Sequence, residues 1–408
     1  MKTLLKNIKI FNGYEEKLIT GLELLINGEK IEKIAKNIQD KDISNTIDGK
    51  NQVLMPGLID NHVHITATTV TAENVNSGLM YAKGFEFLKA MLKRGFTTVR
   101  DAGGADVGIK EAIEKKVIKA PRLFMAGRAL SQTGGHGDLR NGTKGLEPCA
   151  CSIDTGTSLS IICDGVGAVR KAARENFRLG ADQIKIMASG GIASPSDRVR
   201  DVQFSEEEIR AIVEEATNHN TYVMAHAYTP EAISRCALFG VKSIEHGNLL
   251  DEASADLMKK FDMALVPTLA VYEGLYKHGK ELGMHEHVIA KLNQVRASGL
   301  KAIQIARKKG VRVGLGTDLL GDLHQYQGNE FTIRSQIESA FETLNSATEV
   351  NADIVGMKGE LGVIKEGAFA DMILLDKNPL EDISILDSST GEHIELIILN
   401  GEVVDLEK

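Results

Sequence analysis

Four histidines, one aspartate and one lysine stand where side chains of their type can do chemistry. His62 and His64 lie two apart, just after the run Pro56-Gly57-Leu58-Ile59-Asp60-Asn61. Extended backbone repeats every two residues, so both imidazoles face the same way. Two imidazoles facing one way are a natural pair of ligands for Zn²⁺ or a similar ion, although histidines at this spacing also serve simply as hydrogen-bonding groups. His226 ends the run Tyr222-Val223-Met224-Ala225, His246 follows Ser243-Ile244-Glu245, and Asp318 follows Val313-Gly314-Leu315-Gly316-Thr317. One such residue alone is more often structural. The full set, each member at the point where an apolar run stops, points to a metal site. Lys185 sits between Ile184 and Ile186 and so faces away from both. A buried ammonium beside metals is costly. Three roles stay open for it: reaching solvent, pairing with a carboxylate, or standing neutral with a carbonyl-derived group attached.

The elements that must position these residues alternate along the chain. Apolar strand segments end near Ile59, Val99, Met125, Ile186, Met224, Ile244, Val266 and Leu315, with helical periodicity between them. Ser205-Glu206-Glu207-Glu208 reads as a capping box opening one helix, and 285–309 and 330–344 read as amphipathic helices. Strands and helices in this order predict an α/β protein whose residues 56–355 form a closed (β/α)₈ TIM barrel, with the candidate residues at the C-terminal strand ends. A doubly wound sheet is the alternative, but no GxGxxG follows the first strand. At the N-terminus, Leu4–Phe11, Leu22–Ile26 and Ile31–Ile34 are short strands cut by Asn12-Gly13 and Asn27-Gly28. At the C-terminus, Ala370–Leu375 is a strand, and Ile394–Leu399, Asn400-Gly401 and Val403-Val404 form a hairpin. Neither end can hold a core alone. Residues 1–55 and 356–408 are expected to combine as one small discontinuous β-sandwich domain.

Bulk properties narrow the partners. The 408 residues are 43% hydrophobic, enough for a large domain and a smaller one. A net charge of -8 and no basic patch exclude nucleic acid as the default partner. No run of 18 apolar residues exists to span a membrane, and the N-terminus lacks a signal-peptide pattern, so a cytoplasmic protein is expected. The four cysteines, Cys149, Cys151, Cys163 and Cys236, have no paired CxxC spacing and read as reduced thiols.

PGLIDNHVH, KIMASGG, the histidines of AHAY and EHG, and GTD together resemble the amidohydrolase superfamily, over essentially the whole chain. The lysine on the fourth strand resembles its binuclear branch and argues against the one-metal deaminases. The resemblance implies two divalent metal ions, Zn²⁺ by default. His62, His64 and Asp318 would hold one, and His226 and His246 the other. Lys185, carboxylated by CO₂, would bridge them together with a hydroxide. That hydroxide would attack a scissile carbonyl while Asp318 takes its proton and passes it to the leaving amine.

RDAGG, GGHGD, ASGG and AHAY are closer to the dipeptidases related to imidazolonepropionase. The implied activity is hydrolysis of the C-terminal amide bond of a dipeptide or N-acyl amino acid. The substrate is thus a small molecule or short peptide with a free carboxylate, and the protein a homo-oligomer. His136, in a Gly-rich loop, would contact the substrate carbonyl or carboxylate. Tyr228, two beyond His226, would bind the α-carboxylate, unless it is only a rim aromatic. Arg198 and Arg200 are further anion-binding candidates. Asp322 and Glu330, after the eighth strand, are candidates to pair with a cationic side chain, and on that ground release of arginine or lysine is expected. A Xaa-Pro dipeptidase, a cyclic-amide hydrolase like imidazolonepropionase, and an inactive binding or assembly module are the alternatives.

Overall fold

The computed structural model describes residues 2–70, 75–140 and 159–405. The chain opens with β1 (Lys2–Ile10), β2 (Ile19–Thr20), β3 (Glu23–Asn27), β4 (Lys30–Ala35) and the long β5 (Ile43–Pro56). The middle of the chain supplies β6 (Leu58–Val63), β7 (Phe96–Asp101), β8 (Arg122–Met125), β9 (Ala129–Ser131) and β10 (Ser160–Ile162). It continues with β11 (Ile184–Met187), β12 (Val223–Ala227), β13 (Ser243–His246), β14 (Ala264–Val266) and β15 (Arg312–Val313). The chain ends with β16 (Met372–Leu375), β17 (Ile394–Leu399) and β18 (Glu402–Val403).

Both ends of the chain share one mixed eight-stranded sheet, in the order β18-β17-β16-β5-β1-β3-β4 with β2 on β1. β5 runs parallel to β1 and antiparallel to β16, with Met372 opposite Pro56 and Leu375 opposite Val53. The expected sandwich is therefore, in its hydrogen bonding, a single continuous sheet, because β5 is long enough to pair on both sides. Alternation along β5 and β16 divides two cores. Leu54, Met372 and Leu374 face Leu5, Leu24 and Ile26 within the sheet's own core. Val53, Met55, Ile373 and Leu375 face the other way and pack with Leu58, Leu92 and Phe96. The hairpin between β17 and β18 turns on Asn400 and Gly401, with φ of 51° and 74°, as a two-residue turn requires.

The middle strands form a three-stranded parallel sheet, β6-β7-β8, and a seven-stranded one, β10-β9-β11-β12-β13-β14-β15. Hydrogen bonds join the two at both seams. Asp182 N–H donates to the Met125 carbonyl (2.8 Å), and Asn61 N–H donates to Leu315 (2.9 Å) while Asp318 N–H donates to His62 (2.8 Å). At the second seam Gly316 is obligatory, since a Cβ there would come 2.7 Å from the His62 Cβ. β9 and β10 are additions that the apolar pattern did not signal.

Helices occupy the stretches between the parallel strands. The Ser205 capping box closes with Glu208 at the start of helix Glu206–Asn218. The expected helix over 285–309 is two, Glu286–Arg296 and Gly299–Lys308, broken at Ala297-Ser298. That over 330–344 is also two, Asn329–Arg334 and Ala340–Asn345, because Ser339 and Glu342 form a second capping box. Among the described residues no helix is long and apolar enough to cross a membrane. Cys163 and Cys236 are buried free thiols, while Cys149 and Cys151 lie outside the described residues.

Candidate metal centre and active site

His62, at the end of β6, is fully buried. Its Nδ1 is 2.7 Å from Glu245 Oε2, and that carboxylate is held by the buried Arg100 at 2.9 and 3.0 Å. Arg100 in turn donates to the Asn61 carbonyl (2.7 Å), so β6, β7 and β13 are tied together behind the ring. His64 is fixed in the same manner, its Nδ1 2.8 Å from the Gly103 carbonyl. The turn carrying Gly103 is set by Asp101, which accepts from the N–H groups of Ile65, Gly103 and Ala105. With Nδ1 occupied, each ring presents Nε2, and both Nε2 atoms approach Asp318 Oδ1, at 3.5 Å from His62 and 3.3 Å from His64.

Asp318 is positioned by the seam itself, since its N–H bonds the His62 carbonyl. Beneath it Asp60 accepts from Thr317 Oγ1 (2.6 Å), Gln327 Nε2 (2.8 Å) and the His62 N–H (3.1 Å). His246, ending β13, lies with its ring centroid 4.9 Å from that of His62 and its Nδ1 2.8 Å from Thr268 Oγ1. His226, ending β12, lies 4.6 Å from His246, and its Nε2 is 3.2 Å from the Gly190 carbonyl. His246 and Asp318 both hold left-handed backbone, φ 72° and 55°, which is uncommon for non-glycine residues.

Burial drives His62, His226 and His246 well below the usual imidazole range, which keeps them neutral as metal ligands must be. Burial acts the same way on His64, but the Asp318 carboxylate beside it prevails and raises it. For Asp318, burial works against ionisation, and the neighbouring His62 and His64 outweigh it and hold the carboxyl below its usual range. Lys185 on β11 is 1% exposed, and burial lowers its ammonium to about 8.

Donor atoms of His62, His246 and Asp318 lie within 4.8 Å of one another. This trio crosses the expected division into a His62–His64–Asp318 site and a His226–His246 site. The residues fit a metal centre on a further count. His62 Nε2, 3.5 Å from Asp318 Oδ1, is buried and makes no hydrogen bond, and a buried polar atom left in this way calls for a ligand.

The substrate candidates divide. The His136 ring stacks on His226 at 4.2 Å and lies against Gly191, where any side chain would collide with it. Burial lowers its imidazole to about 4. Tyr228 is buried, 4.7 Å from the His226 ring, and its hydroxyl meets that of Tyr272 at 3.0 Å. Arg198 is 87% exposed and paired with Asp201, and Arg200 is exposed. Asp322 is exposed on the turn Gly321–Tyr326. Glu330 is fully buried. Its Oε2 accepts from the Ala270 N–H (2.7 Å) in the first turn of helix Leu269–His278, its Oε1 has no partner, and burial raises its carboxyl to about 8. It serves as a helix cap from across the chain and is not available to a cation at the mouth. Glu245, Arg100, Thr268 and Tyr272 escaped the sequence reading. Arg100 lies inside RDAGG and Glu245 inside EHG, so the motifs were visible but the buried pair they make was not.

Residues 53–404 match the amidohydrolase family, and the chain belongs to it. It is similar to the ochratoxinase of Aspergillus niger, with 36% identity over 82% of this chain and 72% of the relative. Among solved structures it is similar to a prolidase complexed with N-methylphosphonate-L-proline, at 45% identity over the whole of both chains and a TM-score of 0.96. A Xaa-Pro dipeptidase with methionine bound in its active site is 29% identical, again over both whole chains, with a TM-score of 0.88. The protein is thus a hydrolytic enzyme of a family in which metal dependence is general.

Proposed function

We propose that the protein hydrolyses the amide bond next to the free carboxylate of dipeptides or N-acyl amino acids, releasing an uncharged C-terminal residue. The observation that carries this is the paired fixing of His62 and His64, whose Nδ1 atoms are held so that both Nε2 atoms converge on Asp318. The two parallel sheets are read as one (β/α)₈ barrel, with the site at the C-terminal strand ends. His62, His64, Lys185, His226, His246 and Asp318 would hold two divalent cations, with Lys185 carboxylated. When bound, such cations polarise a carbonyl and acidify water.

The protein's own groups do the rest. Asp318 takes the proton of the attacking water and delivers it to the departing amide nitrogen, a base that becomes an acid. His136 and Tyr228 orient the substrate through its carbonyl and carboxylate oxygens. The motive for arginine or lysine release disappears, because Glu330 caps a helix in the interior and Asp322 stands exposed on a turn. The similar proteins described as prolidase and Xaa-Pro dipeptidase favour proline or another uncharged residue instead. A screen of metal-loaded protein against N-acyl amino acids and dipeptides with every C-terminal residue tests this. Preference for proline, methionine or another uncharged residue is expected. Turnover confined to arginine and lysine substrates, or to cyclic amides, would overturn it.

A further inference from the structure

The loop after β11 and the helix Glu286–Arg296 are far apart in sequence but meet over a half-buried ion pair. Lys291 Nζ donates to the Gly191 carbonyl (3.1 Å), the Ser194 carbonyl (2.8 Å) and Asp197 Oδ1 (3.3 Å). An ammonium has three N–H bonds, so all are used. Asp197, its side chain 2% exposed, also accepts from the Ser194 hydroxyl, from Gln203 Nε2 (3.0 Å) and from the Gly191 N–H (3.1 Å). Two of these partners, Ser194 and Gln203, also bond His136. Ser194 Oγ is 3.0 Å from its ring Nδ1, and Gln203 Oε1 accepts from the His136 backbone N–H at 2.9 Å. The Asp197 carboxylate itself stands 3.7 Å from that Nδ1.

We propose that Lys291 is a positioning residue for His136, an inference that rests on the reading of His136 as a substrate-orienting group. His136 sits in a Gly-rich stretch whose backbone does little to fix a ring. What fixes it is the flat surface of Gly191 on one side, the His226 ring on the other and Ser194 at its edge. Lys291 pins the carbonyls of both Gly191 and Ser194 and neutralises the carboxylate that aims the Ser194 hydroxyl. Without the ammonium, Asp197 is a buried charge with no counter-charge from the helix, which is strongly unfavourable. The His136 imidazole, its Nδ1 3.7 Å away, is then the basic group left to balance it, and the ring is drawn toward Asp197 and away from the substrate. Lys291 thus couples the excursion after β14 to substrate alignment over β11 and β12.

The experiment is a double-mutant cycle between Lys291→Met and His136→Ala, reading kcat and KM on the N-acyl amino acid that the wild type turns over best, with melting temperature and metal content alongside. In the wild-type background Lys291→Met is expected to lower kcat/KM about tenfold or more, since small misplacements of an orienting group are costly. In the His136→Ala background the same change is expected to cost less than about twofold, because the group it acts through is gone. Equal losses in both backgrounds, or none in either, would overturn the proposal. Lys291→Gln, which keeps two donors, replaces Lys291→Met in the cycle should the latter not fold. Wild-type protein inactive on every N-acyl amino acid and dipeptide would instead sink the proposed function.

Discussion

The terminal sheet and the ends of the parallel strands each enclose a buried cluster, but the two clusters are built of opposite materials. In the sheet, Leu5, Leu24 and Leu54 are fully buried, and among the described residues no buried side-chain atom without a partner lies there. Of its left-handed residues, Asn7, Lys50 and Asn51 stand exposed at an irregularity between β1 and β5, while Asn37 and Asn400 lie in the connections after β4 and β17. At the strand ends the buried groups are His62, Lys185, Arg100, Asp101 and Glu245, and the left-handed residues are the ligand candidates His246 and Asp318. Each unpaired polar atom or strained residue of this kind costs on the order of 1–3 kcal/mol. A fold tolerates such costs where a function requires them and the rest of the molecule supplies the stability.

Substitutions that separate the two regions sharpen this comparison. The largest effect is expected for Lys185→Ala. Amide hydrolysis should fall by more than about 10³-fold, as loss of a group organising the charge-stabilising centre would cause, with little change in far-UV circular dichroism. Retention of most turnover would remove Lys185 from the centre.

Asp318→Asn comes next, with kcat lower by at least about 10²-fold, the usual scale for a lost general base. Near-normal turnover with metal content intact would show that the proton travels another way.

Leu54→Ala probes the other region. Unfolding free energy should fall by about 2–5 kcal/mol as a core leucine is truncated, while kcat/KM stays unchanged at temperatures where the variant is folded. A parallel loss of kcat/KM would erase the distinction between the two regions.

The last effect, confined to a pH window and to stability, concerns Glu330, whose carboxyl burial raises to about 8 from an ordinary 4.5. Its folded form binds the proton more tightly than its unfolded form. The associated stability is full below pH about 4.5 and drains away as pH climbs through about 8. Thermal melts across that window should show wild type losing ground to Glu330→Gln as pH rises. A difference independent of pH would mean that the carboxyl does not titrate there.

The sequence made legible whatever depends on short-range pattern. The spacing of His62 and His64, the strand ends at His226 and His246, the capping box at Ser205 and the Asn400-Gly401 turn all follow local rules. What it hid depends on residues far apart in the chain. Glu330 reads as a partner for a cationic side chain because nothing nearby in the sequence reveals that it caps the Ala270 N–H. Lys291 looked like any helix-surface lysine, and its partners are about a hundred positions away. The break after Ala297 escaped because the apolar periodicity continues across it. The alternation of Lys185 with Ile184 and Ile186 could be read from the sequence, but the complete burial of all three could not.

The stitch at the second seam has a consequence for how the protein is made. The hydrogen bond from Thr317 to Asp60 spans 257 positions, and that from Asn61 to the Asn351 carbonyl spans 290. β6 therefore leaves the ribosome long before β15 exists, and its edge waits for a partner through most of synthesis. Closing so long a loop is slow, since its entropy must be lost before any contact compensates. Because Asp318 arrives with that last strand, the chemical centre is among the last things assembled. In refolding, recovery of hydrolysis should follow the slowest structural phase, so that the enzyme acquires activity only when its first and last parallel strands have met.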